Sequence, residues 1–176
     1  MTTPIQFAYD RAFSRNIGWV TLAEQQVLKK ARIAIAGLGG VGGAHLLTLC
    51  RLGISNFTIS DFDEFDVHNI NRQAGAFMPF MGQSKLATMA RLARDINPEA
   101  DIRLFPKGVQ PDNVDDFLRL NPLAILFVVH SSGQFRVGIG LPNDPPRCLD
   151  LRDGLPDSMM WPSFNHRWLW HGSQLG

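Results

Sequence analysis

The sequence has little cysteine, almost no excess charge and no long apolar segment. Two cysteines, Cys50 and Cys148, are too few for a disulfide scaffold or a four-cysteine zinc site. A formal net charge of +1 provides no basic field for binding nucleic acid by bulk electrostatics. The longest clean apolar run, residues 123–129, is far shorter than the about 20 residues of a membrane span. The first residues carry no basic stretch followed by an apolar one, so we expect no secretory signal, no membrane partner and a cytoplasmic protein.

What the sequence does contain is enough apolar material for one α/β domain, with 45% hydrophobic residues in a chain of 176. Capping signals and apolar spacing predict four helices, at residues 22–30, 44–52, 84–97 and 111–119. Short apolar runs predict four strands, at residues 32–36, 56–60, 102–105 and 123–129. Strands that alternate with helices in this way form a doubly wound, mainly parallel sheet.

The chain is predicted to have three parts: a helical lead-in over residues 1–30, an α/β domain over 31–130 and a tail over 131–176. The tail shows no sustained helix or strand period, so we expect it to be irregular. The composition changes near residue 120: no lysine follows Lys107, and no glutamate follows Glu99. Two explanations stay open: a reading-frame change near residue 120, or an irregular but folded closing segment.

A glycine-rich loop follows the first predicted strand and opens a helix. Its sequence is Gly-Leu-Gly-Gly-Val-Gly over residues 37–42. Glycines allow the tight turn, the approach of backbone amides to a phosphate, and close packing of helix on strand. The helix N-terminus then offers N–H groups and partial positive charge to an anion. The loop predicts a nucleotide-phosphate site, without distinguishing NAD from ATP, at residues Gly37, Gly39, Gly40 and Gly42.

An aspartate ends the second predicted strand. An acid at that place, Asp61, can accept hydrogen bonds from both hydroxyls of a ribose. Asp63 follows closely and is a further candidate for contact with the nucleotide. Both carboxylates therefore belong to the predicted nucleotide site.

Five motifs in order resemble the ThiF/MoeB family of adenylating enzymes, which are related to ubiquitin-activating enzymes. Three of them are the glycine loop, the Asp-Phe-Asp that begins at Asp61, and Asn-Ile-Asn-Arg-Gln at residues 69–73, similar to the family's Asn-Leu-x-Arg-Gln. Gly-Gln-Ser-Lys at residues 82–85 and Phe-Ser-Arg-Asn at residues 13–16 complete the set. The similarity runs from about residue 9 to residue 119, and it implies a Rossmann-like fold.

The resemblance also implies a reaction. Family members use ATP and magnesium to adenylylate a carboxylate, and pyrophosphate leaves. The expected substrate, and partner, is the C-terminus of a ubiquitin-like or sulfur-carrier protein, whereas one branch of the family acts on a modified tRNA base. We expect a homodimer.

The resemblance assigns roles to five further side chains. Arg72 and Lys85 are the expected catalytic cations, together with Arg15, which in the family often reaches across a dimer. Fixed cations of this kind stabilise the charge that develops on the phosphorus oxygens and on departing pyrophosphate. Asn69 and Asn71 are expected to supply neutral hydrogen bonds to the nucleotide.

One departure from the family leaves two alternatives open. The family places a magnesium-binding aspartate just past the fourth strand, where this chain has His130 and Ser131, and the next carboxylate is Asp144. Neither replaces an anionic oxygen well for magnesium, so no metal-ligating residue is predicted. One alternative is a catalytically impaired module that binds nucleotide or carrier protein. The other is an NAD-binding oxidoreductase, which leaves Arg72 and Lys85 unexplained.

Overall fold

The computed structural model describes residues 6–110, 112–119, 124–131, 134–140 and 147–150. Its helices are α1 (Tyr9–Ala12), α2 (Leu22–Lys30), α3 (Gly40–Arg51), α4 (Lys85–Ile96) and α5 (Val114–Leu118). Its strands are β1 (Arg32–Ala36), β2 (Asn56–Ser60), β3 (Asp101–Phe105), β4 (Ala124–Ser131), β5 (Gln134–Gly140) and β6 (Arg147–Asp150). Short 3-10 turns occur at Ser14–Asn16, Val67–Asn69 and Met78–Phe80. Within these residues, no helix has both the length and the apolar character needed to cross a bilayer.

The strands form one sheet in the order β3-β2-β1-β4-β5-β6. Strands β1 to β4 are parallel, whereas β5 and β6 are added antiparallel at the far edge. The predicted α/β fold with a mainly parallel, doubly wound sheet is therefore confirmed. Successive strands lie on one side of β1 and then β4 lies on its other side, so the strand order reverses between β1 and β4. Ligands of open α/β sheets bind at the carboxyl ends of the strands at such a reversal.

The main core lies between the sheet and helices α3 and α4. Ile35, Phe57 and Ile59 from β1 and β2 are completely buried, as are Leu46 of α3 and Met89 of α4. Each such side chain contributes about 1.5–3 kcal/mol to stability through burial of apolar surface. This packing fixes α3 against β1, and with it the loop that joins them.

Cys50 belongs to this core. It is completely buried in the last turn of α3, and its Sγ lies 3.3 Å from the carbonyl oxygen of Ala93. Burial raises the pKa of the Cys50 thiol to about 11. The side chain therefore has the surroundings of a packing residue and not of a nucleophile.

The structure differs from the sequence predictions in two helices and in the tail. Helix α5 spans only Val114–Leu118 within the predicted 111–119. Helix α3 begins at Gly40, four residues before the predicted start, because its glycine-rich first turn lacks the apolar pattern by which helices are recognised. The tail also contains two strands where an irregular chain was expected. Apolar residues do alternate at Phe135, Val137 and Ile139, but two glycines interrupt the pattern of β5. The remainder of the tail lies outside the described residues.

Candidate functional site

The glycine loop turns sharply from β1 into α3. Gly37 has a φ of +91°, in the left-handed region that favours glycine, and its N–H donates to the Ser60 carbonyl oxygen at 2.8 Å. A Cβ on Gly42 would lie 1.8 Å from the Gly37 carbonyl oxygen, so only glycine fits at that position. The first amides of a helix have no intrahelical acceptor, and no side chain caps α3 at Gly39. The loop therefore presents uncapped N–H groups, as a phosphate site requires.

Asp61 fixes the shape of this loop. Its Oδ2 accepts a hydrogen bond from the Leu38 amide at 2.6 Å, and its Oδ1 accepts one from the Asp63 amide at 2.8 Å. The residue is 9% exposed. A carboxylate has about four lone-pair sites, so these two bonds leave acceptor capacity for a ribose. The sequence predicts that Asp61 contacts a ribose. It does not predict that Asp61 holds the loop, because no local pattern signals these two hydrogen bonds.

Lys85 and Asp63 form an ion pair beside the loop. Lys85 Nζ lies 3.1 Å from Asp63 Oδ2, and the lysine side chain is 7% exposed against 54% for the aspartate. The Lys85 amide also donates to the Asp63 carbonyl oxygen at 2.9 Å. Both residues thus lie at one edge of the site, where a nearly buried ammonium is held by a solvated carboxylate.

Arg72 lies over the first turn of α3. Its Cγ and carbonyl oxygen are each 3.4 Å from the position that a Cβ on Gly40 would occupy. The guanidinium donates to the His68 carbonyl oxygen at 3.1 Å and to Asn71 Oδ1 at 2.9 Å, and it pairs with no carboxylate among the described residues. Within the described residues its charge is therefore not neutralised by a carboxylate, and it is available to an anionic ligand.

Asn69 organises the segment that carries this arginine. It is 2% exposed, and its Oδ1 accepts a hydrogen bond from the Asp66 amide at 3.0 Å. Its carbonyl oxygen accepts from the amides of Arg72 and Gln73 at 3.2 and 2.9 Å. Backbone hydrogen bonding from His68 lowers the pKa of the Asp66 carboxyl, which keeps this cap charged. The side-chain oxygen of Asn69 is thus used to shape the segment, and Asn71 is the asparagine whose side chain contacts Arg72.

Comparison with known proteins identifies the family. The ThiF family model matches residues 13–131, which include the glycine loop, Asp61, Arg72 and Lys85. The chain belongs to the ThiF family.

Two relatives illustrate the similarity. tRNA threonylcarbamoyladenosine dehydratase of Escherichia coli is 34% identical over 106 residues, which are 60% of this chain and 40% of that protein. A solved structure of that enzyme in complex with ATP has a TM-score of 0.68 and 30% identity, and covers 73% of this chain and 53% of that one. The probable adenylyltransferase/sulfurtransferase MoeZ of Mycobacterium tuberculosis is 36% identical over 99 residues, 54% of this chain and 24% of that protein. The chain therefore spans less than half the length of these two curated relatives.

Arg15, the third cation that the ThiF resemblance implies, is not brought to the loop within this chain. It is exposed in the 3-10 turn Ser14–Asn16. Its neighbour Asn16 donates to the Leu52 carbonyl oxygen just beyond α3, at 3.0 Å. Helix α3 has 12 residues and is about 18 Å long, so Arg15 is anchored at the opposite end of the helix from the loop.

No metal centre is visible among the residues that the structure describes, since no three His, Cys, Asp or Glu side chains gather there. His130 and Ser131, which occupy the place of the ThiF magnesium aspartate, belong to β4. Their side chains lie outside the described part of the chain, as does Asp144. The predicted lack of a metal ligand at this place therefore stays a prediction.

Proposed function

We propose that the chain binds ATP at the glycine loop and adenylylates a carboxylate, with release of pyrophosphate. The observation that carries the proposal is the meeting of uncapped α3 amides with Arg72, a cation that no carboxylate of the described residues neutralises. Lys85 adds a second cation at the edge of the same site. We do not favour an NAD-binding oxidoreductase, because the chain belongs to the ThiF family, whose relatives include adenylyltransferases.

The proposed reaction is a displacement at the α-phosphorus of ATP. A substrate carboxylate oxygen forms a bond to that phosphorus, while the bond to the β-phosphate oxygen breaks and its electron pair leaves with pyrophosphate. Negative charge grows on the phosphorus oxygens and on the leaving group, so preorganised donors lower the barrier. The α3 amides and Arg72 supply such donors next to Gly40. Lys85 pairs with Asp63, and its ammonium has further N–H groups that can donate to a phosphate oxygen.

The loop and Asp61 have the features of a nucleotide site. Glycine at position 42 lets the loop close on itself, because a Cβ there would overlap the Gly37 carbonyl oxygen. Asp61 is nearly buried behind Leu38 and retains acceptor sites for a ribose. For magnesium the described residues offer no ligand set, so we assign it no residue and derive no step through it.

For the substrate, we propose the carboxylate of a modified adenosine in tRNA. Similarity to tRNA threonylcarbamoyladenosine dehydratase of E. coli supports this choice over the carrier protein that the resemblance alone favoured. The net charge of +1 implies that such an RNA is held by local contacts and not by a strong overall field. A tRNA substrate agrees with the predicted cytoplasmic location.

A carrier-protein substrate is the second candidate. It is favoured by the similarity to MoeZ, which is named as an adenylyltransferase and sulfurtransferase. In that case the attacking carboxylate is the C-terminus of a ubiquitin-like or sulfur-carrier protein. The third candidate is a nucleotide-binding module without catalysis.

ATP–pyrophosphate exchange separates these candidates. Radiolabelled pyrophosphate is incubated with the protein and ATP, alone, with threonylcarbamoyl-modified tRNA, and with a carrier protein that ends in glycine. Exchange that depends on the modified tRNA, and not on unmodified tRNA, is the expected result. Exchange only with the carrier protein favours the second candidate. ATP binding without exchange in any mixture favours the third, and failure to bind ATP contradicts all three.

We also propose that the protein acts as a homodimer in which Arg15 of one copy completes the site of the other. The position of Arg15 supports this proposal, because the residue lies at the opposite end of α3 from its own loop. Mixing an Arg15→Ala protein with an Arg72→Ala protein, each inactive alone, is expected to restore about a quarter of the exchange activity, because half of the dimers are then mixed and each of these has one intact site. If Arg15→Ala alone keeps full exchange activity, the proposal is wrong.

A further inference from the structure

Gln73 carries an unsatisfied polar group beside the glycine loop. The residue is 8% exposed, and its Oε1 is buried without a hydrogen-bond partner in the described part of the chain. Its Nε2 faces Gly39, at 3.8 Å from the position that a Cβ would occupy there. Leaving a buried polar atom unpaired is costly, so native proteins rarely do so outside functional sites.

The backbone holds this side chain in place. The Gln73 amide donates to the Asn69 carbonyl oxygen at 2.9 Å, and the Gln73 carbonyl oxygen accepts from the Ala76 amide at 3.0 Å. These bonds fix the Cα of Gln73, directly after Arg72. The side chain extends from there towards Gly39, the residue before the first turn of α3. Burial restricts the movement of the side chain, which reduces the entropy lost on binding.

A second buried glutamine shows what a purely structural carboxamide looks like in this fold. Gln25 is 5% exposed, its Nε2 donates to the Tyr9 hydroxyl and to the Leu52 carbonyl oxygen, both at 3.0 Å, and its Oε1 accepts from Asn16 Nδ2 at 3.1 Å. Every polar atom of Gln25 is thus paired within the protein. Gln73 is buried to a similar extent, and its side chain has no such partners among the residues that the structure describes.

We infer that Gln73 is a nucleotide-binding residue whose carboxamide is completed by the ligand. A phosphate oxygen above Gly39 can accept from Nε2, and a ribose hydroxyl can donate to Oε1. The contact is thus to the ribose and the innermost phosphate, which ATP and AMP share. The inference rests on the proposed function, since it needs a nucleotide at the loop.

The test compares two equivalent substitutions, Gln73→Met and Gln25→Met. Methionine has nearly the length of glutamine but no hydrogen-bonding amide, so it removes the polar group with little change in packing. We expect Gln73→Met to weaken binding of both ATP and AMP by about tenfold, measured by calorimetric titration, because a hydrogen bond to a charged group is lost. We expect its melting temperature to stay unchanged or to rise, because an unsatisfied buried atom is removed.

Gln25→Met, the control, is expected to lower the melting temperature by several degrees and to leave both affinities unchanged. If Gln73→Met instead lowers the melting temperature and leaves the affinities as they were, its role is structural and the inference is wrong. Should that variant fail to fold, Gln73→Asn, which keeps an amide but withdraws it by one methylene, must show the same loss of affinity. A wild-type protein that binds neither nucleotide contradicts the proposed function as well, whereas wild-type binding with equal affinity in the Gln73 variants contradicts the inference alone.

Discussion

Each end of helix α3 has a crowded glycine and a buried glutamine beside it, but the polar groups at the two ends differ in their hydrogen bonding. At the C-terminal end, the Leu52 carbonyl oxygen accepts from Asn16 and Gln25, each at 3.0 Å, and the Gly53 carbonyl oxygen accepts from the Tyr9 hydroxyl at 2.6 Å. At the N-terminal end, no side chain caps the helix and Oε1 of a buried glutamine is unpaired. One end completes its own hydrogen bonds, whereas the other leaves polar groups unpaired among the described residues, and we propose that a nucleotide completes them.

Glycine crowding does not distinguish these two ends. A Cβ on Gly42 would overlap the Gly37 carbonyl oxygen, and a Cβ on Gly53 would lie 2.4 Å from Gln25 Nε2 and 2.6 Å from the Tyr9 hydroxyl. Both positions disfavour a side chain, Gly42 through overlap with backbone and Gly53 through a φ of +94° together with contacts to two side chains. A required glycine therefore indicates close packing, and only the unpaired polar groups around it indicate a binding site.

The largest expected effect comes from Gly42→Ala. Because the new methyl group would overlap backbone, the loop must move, and we expect nucleotide binding to be lost together with about 1–3 kcal/mol of stability. Gly53→Ala is the matched variant at the other end, where a φ of +94° adds strain. It should lose a similar amount of stability in urea unfolding but keep its nucleotide affinity. If the two variants bind nucleotide with equal affinity, the two ends of α3 do not differ in function as we propose.

The next largest effect is expected from Arg72→Ala, on the reaction. Loss of one preorganised cation lowers the exchange rate by about 100-fold. Since the side chain is exposed, the free energy of unfolding should change by less than about 0.5 kcal/mol. Arg51→Ala, in the exposed last turn of α3, is the control and should leave exchange unchanged. An Arg72→Ala protein with wild-type exchange would mean that another cation stabilises the transition state.

A smaller effect, on binding and stability together, is expected from Asp61→Asn. The asparagine can accept at only one side-chain oxygen, whereas the aspartate accepts from both the Leu38 and the Asp63 amides. One amide then faces an NH2 group, so we expect a loss of about 1–3 kcal/mol and a weaker affinity for ATP. Urea unfolding in the presence and absence of ATP measures both. If the loop were not fixed by Asp61, the variant would unfold like the wild type.

Much of the fold was accessible from the sequence because its signals are local. The capping box at Thr21 is present, with the Glu24 amide donating to Thr21 Oγ1 at 3.2 Å and the Thr21 amide donating to Glu24 Oε2 at 2.7 Å. Strand β2 has the predicted bounds. The alternation within β5 was present too, but glycines obscured it.

The arrangement of the site was less accessible, because it depends on contacts between distant residues. The bond from Lys85 to Asp63 spans 22 positions, and that from Leu38 to Asp61 spans 23. No periodic pattern in the sequence predicts such pairs. Ordered motifs predict candidate residues for the site, whereas the structural role of Asp61 and the unpaired side-chain oxygen of Gln73 become visible only in the folded chain.

The smallest effect is expected from Tyr9→Phe, which tests the C-terminal end of α3, where the polar groups are paired within the protein. The substitution deprives the Gly53 carbonyl oxygen and Gln25 Nε2 of the Tyr9 hydroxyl, so we expect a loss of about 1–2 kcal/mol and no change in nucleotide affinity. Burial raises the pKa of Tyr9, so above the unfolded value of about 10 the unfolded chain loses this proton first. The wild type should therefore lose stability as the pH rises past that value, and the difference between wild type and Tyr9→Phe should narrow. A constant difference between pH 8 and about 11 in urea unfolding would show that the Tyr9 hydroxyl is not held in this cluster.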